Sequence, residues 1–193
     1  MHNKSLASML SEDFSLTQIS LFNNENRDFQ ESRNIPFIEI PNPISLPYKL
    51  TKMSFVNKSY RYFVDKNIST HISIILKKHK PDIVEFMDIH NEAFVYLKEN
   101  KGANRKTKVI IRSHTPWGLL KKTKKPINVK GVDTWKAKEM ERFCFHECDL
   151  ITTPSIDLKN QLIDSYDLDA NKIFMIPNIV DTNHFKPIHG LSK

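Results

Sequence analysis

The sequence predicts an α/β domain built on a mostly parallel, doubly wound sheet with helices on both faces. Three observations predict it. Short apolar runs of strand length alternate with longer segments whose apolar residues recur every three or four positions, the order of repeated strand–helix–strand units. The run Ile173-Phe174-Met175-Ile176 is unbroken by polar residues and closed by Pro177, the pattern of a strand buried on both faces. The chain has 193 residues, 39% hydrophobic and 26% charged, enough for one such domain with a sizeable core.

Taken in order, Ser5–Leu10 reads as the end of a helix, and Ser15–Leu21 alternates polar and apolar residues as a strand does. Asn23–Asn34 is polar and turn-rich. Phe37–Ile40 is a second strand set between prolines, and Pro41, Pro43 and Pro47 exclude regular structure up to Tyr48. A long helix follows, with Val56, Tyr60, Phe63, Val64, Ile68, Ile72, Ile75 and Leu76 on one face. Lys77, Lys78 and Lys80 suit its negative end and Pro81 stops it. Asp82–Phe86 is a strand, and Asn91 is placed to cap a short helix carrying Phe94 and Leu97. Lys108–Arg112 is the next strand, followed by a long, basic, irregular segment from Ser113 to Gly131. Asp133 or Thr134 can cap a helix with Met140, Phe143, Cys144 and Cys148 on one face. Leu150–Thr153 is a strand, Ser155 caps a helix bearing Leu158, Leu162 and Ile163, and Ile173–Ile176 is the last core strand.

Composition narrows the function classes. No apolar run approaches the ~20 residues of a membrane helix. The first residues, Met1–Leu6, hold no apolar signal-peptide core, and Cys144 and Cys148 are too few for a disulfide framework, so a reducing cytoplasm is the expected setting. The net charge is +7 with pI about 9.3. Lys121, Lys122, Lys124 and Lys125 crowd one loop, either as a solvated loop or as a contact for an anionic surface. Nothing interleaves aromatic and basic residues as a nucleic-acid reader would, and the 4 glycines form no nucleotide-binding glycine loop.

In such sheets ligands bind at the carboxyl ends of the strands. That rule selects Asp88–Asn91, Ser113–Gly118 and Pro177–Asp181. His114 follows a strand directly, where its imidazole could hydrogen-bond a hydroxyl or a phosphate at neutral pH, or else satisfy loop carbonyls. Asp88, His90 and Glu92 follow the preceding strand and could act in acid–base work, although a solvated loop is the plainer reading. Ser155 opens a helix whose first N–H groups can face an anion. Asp149 ends its element and reads as a structural cap. Cys144 and Cys148 share a helix face with Met140 while His146 points elsewhere; two ligands do not close a zinc site, so core packing is expected and no metal is.

The segment Pro177-Asn178-Ile179-Val180-Asp181, with Phe185 and Pro187, resembles the P-N-G-[IV]-D-x-x-x-F-x-P signature of retaining, nucleotide-sugar-dependent glycosyltransferases of the GT-B fold, family four. Ile179 departs from it, standing where the family has glycine. His114-Thr115 resembles the family's histidine motif after a strand, and Glu141 with Asp149–Ser155 resembles its E…A-D-x-[IV]-x-x-x-S stretch. The resemblance is strongest from Lys80 to Pro187. It implies a Rossmann-like, acceptor-side domain over residues 1–187, its first strand and glycine-rich loop not found, with 188–193 a tail where the donor-domain linker would begin. It implies a hexosyltransferase-type enzyme of cell-envelope polysaccharide synthesis. His114 would face the transferred sugar, and Thr115, Asp88, His90, Ser155, Asn178 and Asp181 would contact substrate. A nucleotide-sugar would be the donor substrate, a glycan or lipid the acceptor, and no cofactor is expected. The expected setting is the cytoplasm or the inner membrane face. The isolated chain is expected to be inactive without a donor-binding domain or subunit; the alternative is a non-catalytic binding or partner-docking domain derived from such an enzyme.

Overall fold

A computed structural model describes residues 14–21, 37–40, 54–88, 91–102, 105–120 and 132–178. The chain divides into two compact units, Met1–Glu39 with Pro177–Lys193, and Ile40–Ile176. Strands β1 (Gln18–Leu21) and β2 (Phe37–Ile40) form a two-stranded sheet.

The second unit holds a four-stranded, all-parallel sheet. Its strands are β3 (Ile83–Met87), β4 (Lys108–Arg112), β5 (Leu150–Thr153) and β6 (Ile173–Met175), in spatial order β3-β4-β5-β6. Its helices are α1 (Ser54–His79), α2 (Phe94–Glu99), α3 (Trp117–Leu120), α4 (Val132–Glu147) and α5 (Ile156–Tyr166). The strand–helix alternation read from the sequence is therefore an α/β fold of Rossmann type.

Helix α1 follows its predicted stripe: Ile68, Ile72 and Leu76 are buried. The same face carries polar staples, because Ser69 Oγ donates to Glu92 O at 2.7 Å and accepts the Val95 N–H at 2.9 Å, tying α1 to α2. Basic residues fill the last turn, at the negative end of the helix dipole, and Lys80 closes the helix at φ 48, its N–H donating to Leu76 O at 2.8 Å before Pro81. Helix α5 is capped as expected: Ser155 Oγ accepts the Leu158 N–H at 3.2 Å. Asp167 closes it in the left-handed conformation, φ 56.

Three expectations are corrected. Asn91 does not cap α2; it is buried at φ 52, a conformation asparagine tolerates, and Ala93 stands at the cap position without a side-chain bond. The segment after Ser113 is not irregular throughout, since α3 forms at Trp117–Leu120. The last strand is not a core strand. Ile173 is buried, but Phe174, Met175 and Ile176 are 51%, 50% and 47% exposed. The reason is its position: among the described residues β6 ends the sheet order and pairs only with β5, so an apolar run that would fill a central strand is half uncovered at an edge. The expectations for Ile179 and Phe185 lie outside the described residues.

Candidate functional site

The carboxyl ends of β3, β4, β5 and β6 are held level by bonds that run one residue past the strands. Asp88 N–H donates to Arg112 O at 3.1 Å, Ser113 N–H to Thr152 O at 2.8 Å and Ile176 N–H to Thr153 O at 2.8 Å. The loop after β4 therefore leaves the sheet between two neighbouring strands, with His114 half-buried and Thr115 exposed.

Asp88 organises that loop. Its Oδ2 accepts the Ser113 hydroxyl at 2.9 Å and the backbone N–H groups of His114 and Thr115, each at 3.0 Å. The side chain is 5% exposed and its Oδ1 is buried without a partner. Burial raises the Asp88 pKa, and the bonds from Ser113, Thr115 and His114 pull it back only in part. Two consequences follow. Asp88 sits beneath the loop rather than projecting from it, and the N–H groups of residues 114 and 115 are already taken, so they are not offered to a phosphate.

A second buried carboxylate holds the far end of the same segment. Glu141, on α4, accepts the Gly118 N–H at 2.9 Å and the Tyr166 hydroxyl. Burial, then the Glu141 charge and its hydrogen bond, push the Tyr166 phenol far above its ordinary value. Glycine is required at 118, because an added Cβ would lie 2.2 Å from the Tyr166 hydroxyl oxygen. Asp88 and Glu141 line one pocket together with Asn91, Glu92 and Cys144.

The remaining candidates fall in different places. Ser155 spends its oxygen on its own helix cap. Asn178 is exposed and belongs to the first unit. His90, Asp181, Lys121, Lys122, Lys124 and Lys125 lie outside the described residues. Cys144 and Cys148 are buried; burial raises both thiols, Cys148 to about 11, so they stay protonated and pack as apolar groups. His146 is bonded to Tyr166 O, away from them. Among the described residues no group of three or more His, Cys, Asp or Glu side chains could hold a metal, and no helix is long and apolar enough to cross a membrane. Asp149 is structural, accepting the Val109 N–H at 2.8 Å and pairing with Arg105 and Lys108. Sequence reasoning missed Tyr166 and Gly118, whose only local signal is a glycine inside a helical turn, and the bidentate Arg112–Glu85 pair at 3.0 and 2.9 Å across β3 and β4.

The sequence pattern of Glycosyltransferase Family 4 matches residues 24–184, most of the chain. The chain belongs to glycosyltransferase family 4. In this family-4 chain the candidate site comprises the carboxyl edge of the parallel sheet and the His114 loop that leaves it. No curated protein matches the chain.

Proposed function

We propose that this family-4 domain is the acceptor side of a glycosyltransferase that moves a sugar from a nucleotide-sugar to a glycan or lipid-linked acceptor, with retention of configuration, in a GT-B arrangement. The observation that supports it best is the position of His114: it follows a central strand of the parallel sheet, on a loop anchored at both ends by buried carboxylates, in a chain of this family.

In this reading the His114 imidazole hydrogen-bonds a hydroxyl of the transferred sugar, and exposed Thr115 offers a second hydroxyl contact beside it. His90, Ser155, Asn178 and Asp181 are further candidates for substrate contact. The four lysines at 121, 122, 124 and 125 suit an anionic lipid or a phosphorylated acceptor at the inner membrane face, since each basic residue near such a surface contributes on the order of 1 kcal/mol.

The test is a titration of the isotope-labelled chain with nucleotide-sugars and, separately, with lipid-linked glycans, following the His114 and Thr115 resonances. Saturable shifts at both residues, lost in His114→Ala, are expected. Ligand binding that leaves them unmoved would overturn the assignment of His114. Turnover of a nucleotide-sugar by the isolated chain would overturn the expectation that it needs a donor-binding domain, and binding at His114 with no turnover even when such a domain is supplied would favour a binding domain over an enzyme.

A further inference from the structure

We propose that Asp88 is a positioning residue for the His114 loop, acting through one carboxylate oxygen that sets the backbone of residues 113–115. The inference deepens the sugar-transfer reading and rests on it only for what His114 faces.

The geometry carries it. Asp88 comes from the end of β3, whereas its three donors come from three successive residues after β4, and all three converge on Oδ2. Successive N–H groups turned towards one anion form a concavity that normally captures a ligand. Here an internal carboxylate fills it. With both amides turned inward, the peptide planes on either side of His114 are fixed, and with them the direction in which its Cα–Cβ bond leaves the loop. Removing the acceptor would release three donors at once, one a buried hydroxyl, and leave them to find water.

The division of labour between the two oxygens is informative. Oδ2 makes every bond, and Oδ1 is buried with none. A buried carboxylate that is half satisfied is costly, because the bare oxygen has given up its hydration without return. The loop's backbone therefore requires an acceptor at this point, and the amide oxygen of an asparagine, a better acceptor than the carbonyl of a protonated carboxyl, would largely supply it. The charge is a separable property. Among the described residues the titratable groups around it are His114 from its own loop, Glu92 ahead of α2, Glu141 and Cys144 from α4, and Tyr166 from α5. Of these only His114 can become cationic. Burial makes Asp88 more easily neutralised than an ordinary aspartate as pH falls, and a neutral carboxyl is a weaker acceptor than a carboxylate. The loop's anchorage should then loosen with acid, before the sheet itself does.

The experiment compares wild type with Asp88→Asn, Asp88→Ala and Ser113→Ala in the full chain, by amide hydrogen exchange and by the pH dependence of the amide resonances. In Asp88→Ala the His114 and Thr115 amides should exchange at least tenfold faster relative to Val109 and Ile151, which report the core. Asp88→Asn should restore them to within about threefold of wild type, a rescue that loss of packing alone would not give. In wild type these two amides should follow a titration whose midpoint lies above the ordinary aspartate value. Asp88→Asn should abolish it, and Ser113→Ala, which removes one donor and leaves the acid in place, should raise it further. Wild-type protection in Asp88→Ala, equal loss in Asp88→Asn, a titration that survives Asp88→Asn, or an unchanged midpoint in Ser113→Ala would each overturn the proposal. If Asp88→Ala fails to fold, the asparagine and Ser113→Ala measurements decide it. None of these signals needs a ligand, so failure here is distinguishable from failure of nucleotide-sugar to shift His114.

Discussion

Gly118→Ala tests the packing that holds the far end of the His114 segment. In an open helix the change would stabilise the fold by up to about 1 kcal/mol, because alanine is the better helix former and loses less backbone entropy. Here the new methyl would meet the Tyr166 hydroxyl oxygen at 2.2 Å and its ring carbon Cζ at 2.9 Å, against the roughly 3.5 Å at which such atoms attract. Tyr166 cannot swing aside cheaply. It is fully buried, and its ring packs edge-on against Phe145 at 5.1 Å between centroids. Relieving the overlap costs about 1–3 kcal/mol of core strain. It also pulls the phenol off Glu141, a hydrogen bond to a charged group that is worth about 1.5–3 kcal/mol. Set against the helix gain, the net loss should be about 2–4 kcal/mol, a large share of the ~5–15 kcal/mol that holds a domain together. Urea denaturation should show it as a lower midpoint at unchanged slope. In a Tyr166→Phe background the closest atom is gone, so the same substitution should cost at least about 1 kcal/mol less, a coupling that a double-mutant cycle reads directly. A Gly118→Ala protein as stable as wild type, or an equal cost in both backgrounds, would show that the clash does not govern this site.

Three further expectations concern the scaffold and its surface. Ser69→Ala should destabilise by about 1–3 kcal/mol in the same assay, since it strips a buried acceptor from the Val95 N–H and a donor from Glu92 O. Burial works to raise the Asp149 pKa, but the Val109 N–H and the Arg105 and Lys108 contacts outweigh it, so the folded value is lowered. Its stabilisation is then present above the ordinary carboxylate value and lost as pH falls through the lowered one, so Asp149→Asn should flatten the stability curve below about pH 4 while costing stability at neutral pH, as read by urea midpoints against pH. Replacing Lys121, Lys122, Lys124 and Lys125 with glutamine should weaken sedimentation with anionic vesicles by orders of magnitude at low salt, and equal binding of both proteins would leave the loop no role at a membrane.

What the sequence by itself determined is what lies within one turn of helix or one strand. The periodic stripe Ile68, Ile72, Leu76 placed α1 and its buried face. Ser155 announced a helix start because a cap and its N–H partner are three residues apart. The place of His114, directly after a strand at the carboxyl edge of the sheet, was legible too, which is what makes it a candidate, since ligands of parallel sheets bind at that edge. The packing of Cys144 and Cys148 followed from helical spacing alone.

The tertiary structure decided what depends on residues far apart in the chain. Asp88 meets Ser113 across 25 residues, and Tyr166 meets Glu141 across 25, so no local pattern could show that one acid lies under the loop or that the other demands glycine at 118. Asn91 looked like a cap because its type favours caps, but it also favours the left-handed turn it occupies. The run Ile173–Ile176 has the composition of a central strand, yet composition records only that burial is favourable. Whether a strand has a neighbour on each side is settled by its place in the sheet, and among the described residues β6 stands at the end of the strand order.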